Sequence, residues 1–123
     1  MSTTNEQVRR RYENGDLLND GAPKYVETDA PANGADTVVG TDADVHVVTA
    51  DGTNTVDLSN IEAAGRQVTV VHDGGANTPT LSFADADFVG TGPSNITSAG
   101  ATATVQNING NADGWVVVAT GSA

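Results

Sequence analysis

The feature that most constrains this chain is a pair of short alternating segments, residues 66–72 and 78–83, separated by Asp73, Gly74, Gly75, Ala76 and Asn77. Apolar and polar residues alternate in both, which is the period of a strand with one buried face. The polar, glycine-bearing interruption is of the kind that closes two antiparallel strands, so the pattern predicts a β-hairpin. Further on, Asn111, Ala112, Asp113 and Gly114 lead into Trp115 and three valines. A second turn therefore delivers another strand, and the expected core is Val68, Val70, Leu81, Phe83, Trp115 and Val117.

The same grammar extends over most of the sequence. Strands are expected at residues 37–40, 45–49, 55–58, 67–72, 80–83, 87–89, 101–106 and 115–119, with glycine or Asp/Asn turns between most of them. No helix-length segment separates them, which argues against a parallel α/β sheet. The expected fold is all-β, a compact antiparallel β-sandwich of jelly-roll type or a small barrel, over residues 37–123. No internal repeat is evident, which argues against a solenoid. Residues 1–36 read instead as an extended N-terminal arm and linker. Thr3 and Thr4, each followed three positions later by Glu6 or Gln7, are capping boxes for one short helix that Asn14 and Gly15 would stop. Pro31, Asn33 and Gly34 then supply linker composition.

At 123 residues there is room for one modest core, with Phe83, Phe88 and Trp115 as its only large rings outside the arm. So thin a core makes burial against further copies of the chain a natural supplement. Five basic residues stand against sixteen acidic ones, for a net charge of −11. Within residues 37–123 Arg66 is the only basic residue and faces nine acids. Such a body repels phosphate backbones, so nucleic acid is not an expected partner. The imbalance suits a salt-loving source, where ions screen the self-repulsion. The absence of cysteine excludes disulfides and thiolate chemistry. No run of about 20 apolar residues is available to span a bilayer, and the first residues lack the basic and apolar regions of a signal peptide. Synthesis in the cytoplasm without membrane insertion is the expectation.

Few residues offer chemistry. His46 and His72 lie in strand candidates without a metal-ligand or catalytic spacing, and read as strand residues at a sheet margin. No serine stands in a nucleophile-elbow pattern, and no cofactor is expected. Asp42 with Asp44, and Asp85 with Asp87, put paired carboxylates on one side of an extended segment, which makes them weak candidates for a hard cation and better read as solvated surface. Asn95 and Thr97 form a glycosylation acceptor pattern that reads as a loop. The arm carries more information. Arg9, Arg10 and Arg11 flanked by Val8 and Tyr12, followed by Leu17, Leu18 and Tyr25, combine bidentate cations with apolar contacts and are the expected partner-binding residues.

The order of elements also carries a resemblance. Gly65 and Arg66 open a short strand, an Asp/Asn/Gly turn follows at residues 73–77, and a second strand holds Thr80 and Phe83. A glycine-flanked segment, a Thr/Val strand at residues 101–106, and Asp113, Gly114, Trp115, Val116 and Val117 complete it. Over residues 37–121 this order resembles the small β-structured modules in fibre, spike and decoration proteins of tailed viruses. The resemblance implies a non-enzymatic virion protein, a capsid decoration or short spike subunit, here of a virus of a halophilic archaeon. It further implies a homotrimer on the virion surface, attached by its N-terminal arm to the major capsid protein or another virion protein. A tail-fibre adaptor or tip, or an adhesin module that binds a host-surface glycan, is the alternative.

Overall fold

The structure is a computed structural model and describes residues 24–110 and 114–122. It is all-β, as expected, with no helix among the described residues. Among those residues six strands occur: β1 (Val26–Asp29), β2 (Thr37–Val38), β3 (Val45–Asp57), β4 (Gln67–Ser82), β5 (Thr102–Asn107) and β6 (Trp115–Gly121). They form one mixed sheet in the order β1-β3-β4-β5-β6, with β2 also paired to β3, and the sheet does not close into a barrel. The short helix expected around Thr3 and Thr4 lies outside the described residues.

Strand direction follows from how the chain returns on itself. β1 and β2 both pair in parallel with β3, Val26 opposite Val45 and Thr37 opposite Val56. One 13-residue strand thus spans the two short ones beneath it. Glu27 and His46, and again Ala35 and Asn54, lie 19 residues apart where they meet across adjacent layers. The chain therefore makes successive coils stacked in parallel, and β3 to β4 continues the stack with Val48 opposite His72. Only β5 and β6 run antiparallel to their neighbours. The expectation of purely antiparallel pairing is corrected to a mixed sheet whose first half is parallel. Residues 26–36 belong to this stack, because β1 pairs with β3 and the carbonyls of Ala32 and Ala35 accept from the Asn54 side chain.

The expected hairpin is corrected as well. Residues 67–82 form a single strand, both halves of which pair in parallel with β3, from Val45–Thr69 through Thr55–Ser82. The glycine-rich interruption is an irregularity within that strand, where the register shifts between Val48 and Ala50 and again between Asp51 and Thr53. Gly75 explains why it must be glycine-rich: a Cβ there would lie 1.8 Å from the carbonyl oxygen of Ala50. The expected strands at 45–49 and 55–58 are likewise the two ends of β3, joined through Gly52 at a φ of +67°. The expected strand at 87–89 is a single bridge, Phe88 to Trp115.

Alternation fills one core. Along β3 the buried residues are His46, Val48, Ala50, Asn54 and Val56, so both ends of the strand present the same face inward. They meet Val68, Val70 and Leu81 of β4, Ala103 and Val105 of β5, and Trp115 at the start of β6. Each fully buried valine or leucine contributes about 1.5–3 kcal/mol through loss of contact with water. Five of the six expected core residues are buried, and Val117 is the exception at half-buried. It faces the same side as its partner Val105 but sits on β6, which ends the strand order among the described residues.

Candidate functional site

Both histidines are buried to within 1% of full exclusion, which corrects their placement at the sheet margin. Burial of an imidazole requires partners for its nitrogens, and each ring has two. His72 is read directly: its Nδ1 accepts from the Gly74 amide at 2.9 Å, so Nε2 carries the hydrogen and donates to the Pro79 carbonyl at 3.0 Å. The ring thus pins both ends of the glycine-rich irregularity in β4.

His46 anchors a longer relay across the first two coils. Thr37 Oγ1 donates to Asp29 Oδ2 at 2.7 Å and lies 2.7 Å from His46 Nε2. His46 Nδ1 stands 2.6 Å from Glu27 Oε2, which also accepts from the Gly40 amide at 2.7 Å. The imidazole thus bridges the Thr37 hydroxyl and the Glu27 carboxylate. Hydroxyl, imidazole and carboxylate in line is the arrangement of a nucleophilic triad. Here, however, Thr37 is 0% exposed and its hydroxyl is committed to Asp29. The relay ties β1, β2 and β3 together.

The other polar side chains behave the same way. Asn54 accepts from the Asp51 amide at 2.7 Å and donates to Ala32 and Ala35, which fixes the corner between β1 and β2. On the outside of that corner Asp51 Oδ1 accepts from Asn33 at 3.1 Å and Asn77 at 2.6 Å, one residue from each of three successive coils. Arg66, the one arginine among the described residues, donates to the Thr41 carbonyl at 2.6 Å and to the Ala43 carbonyl. Its guanidinium fork clamps the turn that leads into β3, with Asp44 at 4.0 Å.

The carboxylate pairs fall on turns, not on extended segments. The Ala43 amide donates to the Gly40 carbonyl across Asp42, and the Ala86 amide donates to the Phe83 carbonyl across Asp85. Asp44 is engaged by the Tyr25 amide at 2.9 Å, while Asp42, Asp85 and Asp87 are exposed. Among the described residues no three His, Asp or Glu side chains converge as a metal site. Of the expected partner-binding residues, Val8, Arg9, Arg10, Arg11, Tyr12, Leu17 and Leu18 lie outside the described residues. Tyr25 is 55% exposed, immediately before β1. Phe88 packs edge-on against Phe83, ring centres 6.3 Å apart, which leaves it half-buried.

A groove of about 360 Å³ lies between residues 93–98 and the facing ends of β5 and β6. Its polar lining is hydroxyl and amide groups, among them Ser94, Asn95, Thr97, Thr102 and Thr120. The relay of Glu27, Asp29, Thr37 and His46 had no local signal, because its contacts span 8, 9 and 19 residues and form only once the coils are stacked. No protein-family model and no curated protein sequence matches this chain.

Proposed function

We propose that this protein is a non-catalytic structural module of a virion, a capsid decoration or short spike subunit on the particle surface. The observation that carries the structural part is the deployment of its chemistry-bearing side chains. His46, His72 and Arg66 are each consumed in bonds that hold one coil to the next or fix a turn. A body organised this way serves as a rigid scaffold, and its acidic exterior keeps it dispersed. The virion assignment rests on the resemblance of residues 37–121 to fibre, spike and decoration modules. Attachment is assigned to Val8, Arg9, Arg10, Arg11, Tyr12, Leu17, Leu18 and Tyr25, because four of the five basic residues stand in the first 24 positions.

Co-sedimentation of the purified protein with particles lacking it tests this reading. Saturable binding is expected. Replacing Arg9, Arg10 and Arg11 together by alanine weakens it by roughly 1 kcal/mol for each arginine paired with a carboxylate of the particle. Undiminished binding by that variant would move the anchor to the β body.

A further inference from the structure

The groove between residues 93–98 and the facing ends of β5 and β6 differs from the rest of the body in what its polar side chains do. Elsewhere such groups hold one part of the fold to another, as in the relay of Thr37, His46 and Glu27 and the paired hydroxyls of Thr69 and Thr104. In the groove, Ser94, Asn95, Thr97, Thr102, Thr120 and Ser122 make no side-chain hydrogen bond to any described residue. Six uncommitted hydroxyl and amide groups thus line one depression of about 360 Å³. That volume lies within the range of about 300–1,000 Å³ typical of small-molecule sites.

Both walls are fixed by the fold. Ile96 exchanges two backbone hydrogen bonds with Leu81 of β4, each 2.9 Å, which holds residues 93–98 against the core. The opposite wall is the pairing of β5 with β6, where Thr102 faces Gly121 and Ala103 faces Thr120. A Cβ at residue 121 would lie 2.7 Å from Thr102 Oγ1, so glycine there leaves the hydroxyl its place. A site built before its ligand arrives spares the cost of ordering it. Charge then narrows the ligand. Residues 88–122 hold one acid, Asp113, and no base, although the chain carries a net charge of −11. No lining residue is charged, so the groove has neither a cation for a carboxylate or phosphate nor a carboxylate for an amine. Hydroxyls and amides both donate and accept, and they are matched by a neutral ligand whose groups do the same. Pro93 and Ala101, both half-buried, add apolar contact for C–H groups. A bound peptide is held by a strand edge or by pockets for its side chains, whereas a sugar ring presents many hydroxyls around C–H faces and meets both demands of this lining.

We propose that this groove binds an uncharged saccharide, its hydroxyls bonded to Thr97, Thr102 and Thr120 and its C–H face resting on Pro93 and Ala101. Such binding is a property of the β body and is independent of the virion reading.

Titration of the isotope-labelled full-length protein with lactose, maltotriose and the trimer of N-acetylglucosamine, followed by amide chemical shifts, tests it. At least one of them should move the amides of residues 94–98, 102–103 and 120–122 saturably, with a Kd on the order of 1 mM. Thr97→Val and Thr120→Val remove exposed hydroxyls while keeping shape, and each should weaken that binding about fivefold with the unfolding midpoint unchanged. Thr53→Val, which removes an exposed hydroxyl of β3 outside the groove, should leave the affinity as it was. Silence of the groove amides toward all three sugars at tens of millimolar overturns the proposal, as does undiminished binding by both groove variants. Tighter binding of sialyllactose than of lactose overturns the neutral assignment, and a response to tetra-alanine but to no saccharide gives the groove to a peptide instead. Particle attachment is not part of the readout, so failure here is distinct from failure of the virion reading.

Discussion

Single residues in this protein are defined by the coil above or below them. Thr37 is the clearest case, since its hydroxyl stands between Asp29 and His46 with no access to water. Thr37→Val preserves shape and removes the hydroxyl, leaving a buried imidazole nitrogen and a carboxylate oxygen short of one partner each. Equilibrium denaturation should register a loss of about 1–3 kcal/mol. A change near zero would mean that water replaces the hydroxyl and that the relay does not hold the coils. The sequence made the apolar half of this interior legible: Val68, Val70, Leu81, Phe83 and Trp115 alternate as buried strand residues should, and they are buried. The polar half was illegible. Glu27 and His46 carry no sign of each other, because a contact at a separation of 19 residues is set by coil length, which composition and alternation do not encode.

At the scale of elements, strand existence was legible and strand pairing was not. Asp73, Gly74, Gly75, Ala76 and Asn77 have the chemistry of a hairpin turn, and positive φ values at Gly74, Gly75 and Asn77 show that their freedom is used. A turn and an outward irregularity in a continuous strand place the same local demand on glycine. What distinguishes them is the neighbour, here β3, whose partner residues lie 24 or 25 positions away. Gly34 and Gly75 separate the two roles of glycine. A Cβ on Gly34 meets nothing within 4 Å, so Gly34→Ala should cost about 1–2 kcal/mol from left-handed strain alone. Gly75→Ala drives a methyl into the backbone of Ala50 and should cost more, with faster amide exchange along both β3 and β4. Equal losses for the two variants, measured by thermal and chemical unfolding, would contradict the close approach of these strands.

The whole molecule is small and acidic, and among the described residues the sheet ends in β1 with β2 on one side and in β6 on the other. Assembly into the proposed homotrimer would cover apolar residues left exposed near these ends, such as Val26, Val38 and Val118. With a net charge of −11 per chain, three copies repel one another until salt screens them. Light scattering across a salt series should give a trimer in molar salt and dissociation as salt is withdrawn. A monomer at every salt concentration would remove the trimer and leave the core to stand alone. The proposed role of this chain as a structural module of a virus particle can be tested by electron cryomicroscopy of purified particles. Three-fold clusters of a small β body are expected on the outer surface, joined to the particle through the N-terminal end of the chain. Particles that lack the protein, or that hold it only in their interior, would contradict it.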